Sequence, residues 1–600
     1  MDFFTENILL ILFLPIWIGL IILSGVFFKL TENRKMTTFI TILSTLTGLI
    51  FSTTLLNRVT VPIEYTFKWF STDELTLTFG TYLDTISITF LTVLMVISLL
   101  VQIYSYGYMK DTKGFNRYFI YLNFFNFAMT GLILSPNLIQ LYIFWELVGV
   151  ASYLLIGFFY EKDDVSKSAK KVFIINRIGD TALLIGVIIL TYFPILYMNG
   201  ELLGFGNIEN FYTQMLGLTY PSTYNLILGL LLFGAFVKSA QFPFQQWLID
   251  AMKAPTPVSA LIHSATMVCA GIFLIIRIYP LLNDELLKII LFTGIITAVI
   301  CAFIALTQNN IKKMLAYSTS SQLGLMFVAI GLKSIPIAIV YLVIHSFTKA
   351  SLFLCCGNIS KITNTIEMNE ITGIRKYNSY LALYWVVAGL SLAGLFFGGF
   401  TSKEMLINLA EERFAILFLV LLTSFMSAYY IFRSYFQIFE GEKKEYSVKI
   451  GRSMSLPIAI LTILIVFPGF IFKISMLNML CILSIAIGVT AISSAYYSNK
   501  CNKIVLPKLL YTLSKKELFI PNIYDFIGKV FIFLFNFVYL FEKYIVNGTV
   551  NIVIVINKFL SKIISKLQNG NIQTYISYSI FAIGIILLSV LYFYFMAARG

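Results

Sequence analysis

Apolar stretches long enough to cross a lipid bilayer recur almost without interruption along this chain, and they leave it few ways to fold. About 20 consecutive apolar residues, rising roughly 1.5 Å each, cross the hydrocarbon core as a helix. The 600 residues are 58% hydrophobic and 12% charged, with a mean hydropathy of +0.86. That is too little charge to cover a water-facing surface of this size. Roughly sixteen spans are predicted, near 7–29, 36–56, 80–106, 118–136, 137–160, 169–193, 224–246, 255–278, 287–307, 312–333, 336–360, 378–400, 404–437, 453–472, 474–497 and 573–596. The expected fold class is an all-α polytopic membrane protein.

The formal net charge of +14 falls in alternate loops. Lys29, Arg34 and Lys35 follow the first predicted span, and Lys110, Lys113 and Arg117 the third. Lys162, Lys167, Lys170 and Lys171 follow the fifth, and Lys443, Lys444, Lys449 and Arg452 the thirteenth. The loop with Glu201 and Glu209 is poor in cations. This positive-inside pattern places odd-numbered exits in the cytoplasm and both termini on the opposite side, and it accounts for the basic charge without a nucleic-acid partner. Residues 1–29 lack a basic leader and a small-residue cleavage site and are read as a first span. Cys269, Cys301, Cys355, Cys356 and Cys481 lie in apolar segments and Cys501 in a basic loop, without metal-ligand spacing. Two histidines are too few for a haem–copper oxidase or a cytochrome b-type subunit, which need several paired imidazole ligands. GFGN at 204–207 stands in a polar loop rather than at a strand–helix turn, so it is read as a flexible loop.

Within the apolar runs stand charges that are costly at membrane depth: Glu146, Lys238 and Lys349, with Lys403 just after LSLAGLFFGGFTS. One carboxylate and three amines in separate spans suggest groups that exchange protons or ions. Glu146 could also act as a neutral hydrogen-bond partner, but Lys238 supplies a plausible mate, and a pair of variable separation can take and release a proton. Two spans look interrupted. Lys238 precedes Pro243 in the seventh, and Gly398–Gly399 precede Lys403 in the twelfth. Broken helices at membrane depth are tolerated where they line a watered cavity, and two breaks five spans apart fit inverted repeats. Tyr341, His345 and Lys349 recur at i, i+4 and i+8 on one helical face, in the form of a relay, and His263 joins the same polar axis if the spans pack together. Asn176, Arg177 and Asp180 open the sixth span, where capping is an alternative role. Residues 521–567 are apolar but punctuated by Asp525, Lys529, Glu542, Lys543, Lys558, Lys562 and Lys566. As a helix this segment would run about 70 Å, too long for one crossing, and it is read as a lateral amphipathic helix.

Several motifs occur together and in order: YSYGYM at 104–109, FWELVGVASYLLIGF at 144–158, NRIGD at 176–180, KSAQFPFQQWL at 238–248, APTPVSALIHSATMV at 254–268, IKKMLAYSTSSQLG at 311–324, HSFTKASLFL at 345–354 and FTSKE at 400–404. Through them nearly the whole chain resembles the antiporter-like proton-pumping subunit of NADH–quinone oxidoreductase (complex I), of the chain L / chain 5 type. The resemblance implies sixteen transmembrane helices with broken helices 7 and 12. It also implies a long lateral helix bracing the adjacent antiporter-like subunits of the membrane arm. It casts Glu146 and Lys238 as a buried ion pair tuned by Asp180, Lys349 with His263 and His345 as the central axis, and Lys403 as the exit-side lysine. Arg177, Tyr341 and Glu404 are expected to modulate. Tyr341 stands where many relatives carry a histidine, Asn310 replaces a common acid, and Glu404 replaces a usual Asp.

The expected organisation is a scaffold over 1–117, two antiporter-like repeats over 118–280 and 281–440, peripheral helices and a loop over 441–520, the lateral helix over 521–570 and a final anchor over 571–600. No cofactor is expected in this chain; FMN, iron–sulfur clusters and quinone would belong to partner subunits. The resemblance implies a bacterial inner (plasma) membrane in preference to a mitochondrial one. Large subunits of multisubunit Na+/H+ antiporters and membrane-bound hydrogenase subunits share this core. The antiporter chains normally run well past the sixteenth span, so a chain ending at Gly600 is expected to be of the complex I kind.

Overall fold

The computed structural model describes residues 34–56, 58–71, 76–197, 204–208, 221–442, 446, 448–470, 488 and 507–597. The spans expected at 7–29 and 474–497, the acidic loop residues Glu201 and Glu209, and Lys443, Lys444, Cys481 and Cys501 lie outside them. The chain divides into two compact units, Met1–Leu518 and Phe519–Gly600.

The first unit is a helical bundle. Its helices are α1 Arg34–Leu56, α2 Thr85–Tyr108, α3 Phe115–Leu134, α4 Leu138–Ile156, α5 Asp163–Tyr197, α6 Pro221–Lys238, α7 Gln246–Asp250, α8 Thr256–Ser264 and α9 Met267–Ile278. They continue with α10 Asp284–Ala305, α11 Ile311–Gly331, α12 Ile335–Thr363, α13 Ser379–Ala393, α14 Phe397–Ala410, α15 Phe414–Phe439, α16 Arg452–Val466 and α17 Lys508–Lys515. Across both units, 13 described segments are long and apolar enough to cross a membrane. Polar residues ahead of each apolar run set several starts: Asp84, Asn137, Asn283, Asn310 and Asn378 each accept a hydrogen bond from a first-turn amide. The middle of the bundle is buried on all sides. The windows of Thr256–Leu281 and Ile311–Gly331 are wholly enclosed. Helices α10 and α11 touch backbone to backbone: a Cβ on Gly294 would lie 2.7 Å from the Gly324 carbonyl oxygen, so both positions exclude a side chain.

The structure corrects the sequence reading in three places. An antiparallel hairpin, β1 Ile63–Ser71 with β2 Thr76–Leu83, is added to the helical fold ahead of α2, so the third span starts at Thr85. The alternating aromatic and β-branched residues of IEYTFKWFS and TLTFGTYL suit a pleated ribbon better than a helix. The second break lies earlier than the Gly398–Gly399 pair: α13 ends at Ala393, Gly394 adopts φ +84°, and Gly398 and Gly399 belong to α14. Gly399 instead permits contact with the Ser391 backbone, which a Cβ would strike. The boundary between the twelfth and thirteenth spans moves accordingly, to Ala410–Phe414.

Ion pairs and polar contacts join the loops at the two ends of the bundle. At one end Lys171 meets Asp250 at 3.0 Å, Lys253 meets Asp164 at 2.7 Å, Arg375 meets Glu440 at 2.7 Å, and Asn310 donates to Glu367 at 2.7 Å. At the other end Arg277, at the end of α9, pairs with Asp84 at 2.6 Å and with Ser87, while its guanidinium lies 4.9 Å from the Phe273 ring centroid. Burial works to raise the Asp84 carboxyl, but the hydrogen bond and charge of Arg277, with the bonds from Ser87, outweigh it and hold the group below the usual carboxylate value.

The second unit holds α18 Ile520–Phe541, a wider turn at Glu542–Val546 and α19 Asn547–Leu567, which follow one another without a break, and then α20 Ile572–Ala597. At about 1.5 Å per residue the first three run roughly 70 Å. Lys558, Lys562 and Lys566 fall four apart along one face of α19, and large apolar residues such as Phe535, Ile556 and Phe559 have no cover within their own unit.

Because Arg277 and Asp84 are both mostly buried, removing one leaves the other charge uncompensated. Arg277→Met is expected to destabilise the chain by about 3–5 kcal/mol, and Asp84→Asn combined with Arg277→Met by much less. Thermal unfolding of the purified assembly in detergent measures both.

Candidate functional site

Span seven is broken where the sequence indicated. Helix α6 ends on Lys238, the chain continues irregularly through Gln245, and α7 resumes at Gln246. The freed Val237 carbonyl accepts from the Trp247 indole at 2.7 Å, and Ser239 ties the broken segment to α9 by donating to the Val268 oxygen at 2.8 Å. A helix C-terminus presents partial negative charge, so the last residue of α6 is a favourable place for an ammonium group.

The partners of Lys238 differ from those expected. Its Nζ lies 3.3 Å and 3.5 Å from the two Asp180 oxygens, 3.5 Å from the Trp145 carbonyl oxygen and 5.2 Å from the Trp145 ring centroid. Glu146 pairs instead with Arg177 and accepts from the Tyr142 hydroxyl at 2.6 Å. The expected Glu146–Lys238 contact is therefore replaced by two adjacent pairs, Glu146–Arg177 and Asp180–Lys238. Trp145 decides the arrangement: its indole donates to Asp180 at 2.6 Å and holds that carboxylate against the lysine. The Lys238–Asp180 pair is almost wholly buried, at 0% and 3% side-chain exposure, whereas Arg177 is 37% exposed. Asn176 donates to the Val172 oxygen of its own helix at 2.9 Å and stays outside the pairing.

The central axis is assembled from α8, α11 and α12. Lys349 is fully buried; its ammonium meets the Ser318 hydroxyl and, at 3.3 Å, the Leu315 carbonyl oxygen. No salt bridge to Lys349 occurs among the described residues. His345 lies beside the backbone of His263, whose ring stacks on Phe353 at 5.3 Å between centroids. Tyr341 donates to Gln322 Oε1 at 2.7 Å, so the phenol faces an amide on α11. The spacing of Tyr341, His345 and Lys349 thus places all three in the buried interior of α12.

A third interruption escaped the sequence reading. The predicted eighth span is two helices, α8 and α9, parted at Ala265–Thr266, with Thr266 at φ −116°, ψ −107°. Thr266 donates to the Leu261 oxygen at 2.7 Å, and Ser346 and Cys269 reach the Ser264 oxygen at 3.3 Å and 3.2 Å. These bonds pin the break two residues beyond His263. The small hydroxyl residues of HSATM were the available signal, a weak one without proline or glycine.

Lys403 sits on α14, just after the second broken helix, and is buried; its Nζ is 2.9 Å from both the Ala393 oxygen and Ser427 Oγ. Glu404, next in sequence, is buried as well. A small cavity lined in part by Gln322, Tyr341, His345, Ser402 and Lys403 connects this lysine to the central axis. The structure therefore joins Lys349, His345 and Lys403 through α12 and the cavity, and groups Glu146, Arg177, Asp180 and Lys238 separately between α4, α5 and α6.

Residues 135–428 match the family described as NADH:quinone oxidoreductase/Mrp antiporter, TM, and residues 69–119 match the complex I chain 5 N-terminus. The chain is 35% identical over 583 residues to NAD(P)H-quinone oxidoreductase subunit 5 of the Mesostigma viride chloroplast, covering 88% of each. It is 39% identical over 394 residues to NADH-quinone oxidoreductase subunit L of Neisseria meningitidis, covering 64% of this chain and 58% of that one. In fold it is similar to a chain of the Mrp complex from Dietzia sp. DQ12-45-1b, with TM-score 0.69 and 22% identity over 87% of this chain and 60% of that one. It is also similar to a chain of an archaeal membrane-bound sulfane sulfur reductase, with TM-score 0.67 and 20% identity over 85% and 96%. This multi-pass membrane chain belongs to the family of NAD(P)H-quinone oxidoreductase subunit 5 and NADH-quinone oxidoreductase subunit L.

Proposed function

We propose that this chain moves protons across the membrane as the distal antiporter-like subunit of a respiratory NADH–quinone oxidoreductase. The observation that carries the reading is Lys349, fully buried and held by a hydroxyl and a carbonyl oxygen. Among the described residues no carboxylate pairs with it, so local water and neighbouring charges decide whether it holds a proton. Redox chemistry, with FMN, iron–sulfur clusters and quinone, belongs to partner subunits in this reading.

The proton route runs from Lys238 to Lys349 and out past Lys403. Lys238 exchanges its proton against Asp180, and Arg177 holds Glu146 as an alternative counter-charge beside it. When Lys238 leaves Asp180 for Glu146, the local field at the central axis changes. Lys349 responds because like charges repel strongly in a low-dielectric interior. His345 and the cavity carry the proton toward Lys403. The segment 520–567 braces the neighbouring antiporter-like subunits with its uncovered apolar face. The membrane is a bacterial plasma membrane with both termini on the non-cytoplasmic side. The shared fold with a chain of an Mrp complex supports one second reading, the large subunit of a Na+/H+ antiporter, which would make transport depend on Na+ without NADH.

Lys349→Met is expected to abolish most NADH-driven proton uptake into inverted vesicles, whereas His345→Ala keeps a substantial fraction because water can replace an imidazole in a proton chain. The reverse order, at matched assembly, would overturn the assigned roles. Asp180→Asn leaves a wholly buried ammonium unpaired and is expected to destabilise by about 3–5 kcal/mol in thermal unfolding. Glu146→Gln should cost less, since Arg177 is 37% exposed and its charge is not enclosed by protein. Truncation after Lys500 should loosen the membrane arm; unchanged subunit stoichiometry and pumping would contradict the bracing role.

A further inference from the structure

The segment leading to the second unit docks against the bundle and brings a buried acid to the foot of α11. Ser514, in α17, shares a hydrogen bond with Thr307 at 2.7 Å and donates to the Phe303 oxygen at 2.8 Å, which ties α17 to the end of α10. Three residues on, Glu517 is 8% exposed. Its carboxylate lies 3.7 Å from Lys313 Nζ and faces the phenol of Tyr317. Lys313 and Tyr317 stand at i and i+4 on α11, so one carboxylate spans one turn of that helix. Glu517, Leu518 and Phe519 all have left-handed backbones, with φ of 55°, 55° and 59°, although none is glycine. A run of this kind is costly for L-residues and persists where its surroundings hold it.

Lys313 is 44% exposed on its side chain and Glu517 only 11%, so this pair stands at the limit of water. Inward from it everything is buried. Tyr317 is 1% exposed, Cys301 0%, Tyr430 1% and Ser318 0%. Cys301 lies close to both phenols, Tyr430 faces Ser318, and Ser318 holds the Lys349 ammonium. A line of side chains able to give and accept protons thus runs from Glu517 to the central lysine along the buried part of α11.

We propose that Glu517 is the proton-loading group of the central lysine: it takes a proton from water beside Lys313 and passes it through the Tyr317 phenol toward Ser318 and Lys349. No bond other than O–H and N–H is made or broken, and each acceptor regains its proton from the group before it. This inference rests on the proton-translocating reading of Lys349 and adds to it an inlet drawn from the segment at the root of the second unit.

The test uses the assembled complex in inverted vesicles at matched subunit content, with NADH-driven proton uptake as the readout. Glu517→Gln keeps the shape and loses the exchangeable carboxyl proton, and uptake should fall roughly a hundredfold or more, within the range usual for a lost acid–base group. Glu517→Asp should retain most of the uptake, and Lys313→Met, which removes the ion pair and leaves the carboxylate, should do the same. Tyr317→Phe should lower uptake in the same direction as Glu517→Gln, and it decides the matter if the latter does not assemble. Wild-type uptake in Glu517→Gln or Tyr317→Phe, with Lys349→Met inactive, overturns the inlet alone. So does a defect in Lys313→Met equal to that of Glu517→Gln, because the ion pair would then be what matters. Wild-type uptake in Lys349→Met overturns the underlying reading of the central axis instead.

Discussion

Backbone hydrogen bonding in an apolar solvent is the constraint on which the rest of this structure depends. A helix in lipid satisfies its own amides and carbonyls, and a break leaves several without partners. Every break in the described bundle is therefore enclosed by protein and repaired by a named donor. Trp247 serves the Val237 carbonyl, Thr266 the Leu261 carbonyl, and Lys403 the Ala393 carbonyl. At the second break the repair is made by a lysine itself, so the freed Ala393 carbonyl and the Lys403 ammonium group satisfy each other.

The two halves of the site differ in how their charges are balanced. Between α4, α5 and α6, four ionisable side chains form two pairs that share neighbouring turns. Along α12 no such pairing occurs among the described residues: Lys349 meets a hydroxyl and a carbonyl oxygen, and the charge of Lys403 opposes its own. Buried pairs of this type contribute little net stability, which is consistent with their serving exchange rather than strength.

Much of this was legible in the amino-acid order. The apolar period gave the spans, the rarity of charge at membrane depth picked out Glu146, Lys238, Lys349 and Lys403, and the i, i+4, i+8 spacing placed Tyr341, His345 and Lys349 together. Proline marked the first break because it cannot donate. The glycine pair misplaced the second, since glycine signals either a turn or a close approach, and Gly399 serves approach to Ser391 while Gly394 makes the turn. The hairpin was missed because β2 directly abuts α2 and shares its apolar character.

Local chemistry along the chain by itself determined that the protein lies in a membrane, which residues carry charge at depth and which of them share a helix face. Those properties follow from transfer energies and helical geometry, which need no neighbours. Only the tertiary structure decided who pairs with whom. Lys238 faces Asp180 rather than Glu146 because an indole from another helix holds that carboxylate in place. Glu517, unremarkable in the sequence, is buried against α11 because the segment before it is tied to α10. Pairing depends on distance and desolvation between elements far apart in sequence, and neither is written in the order of residues.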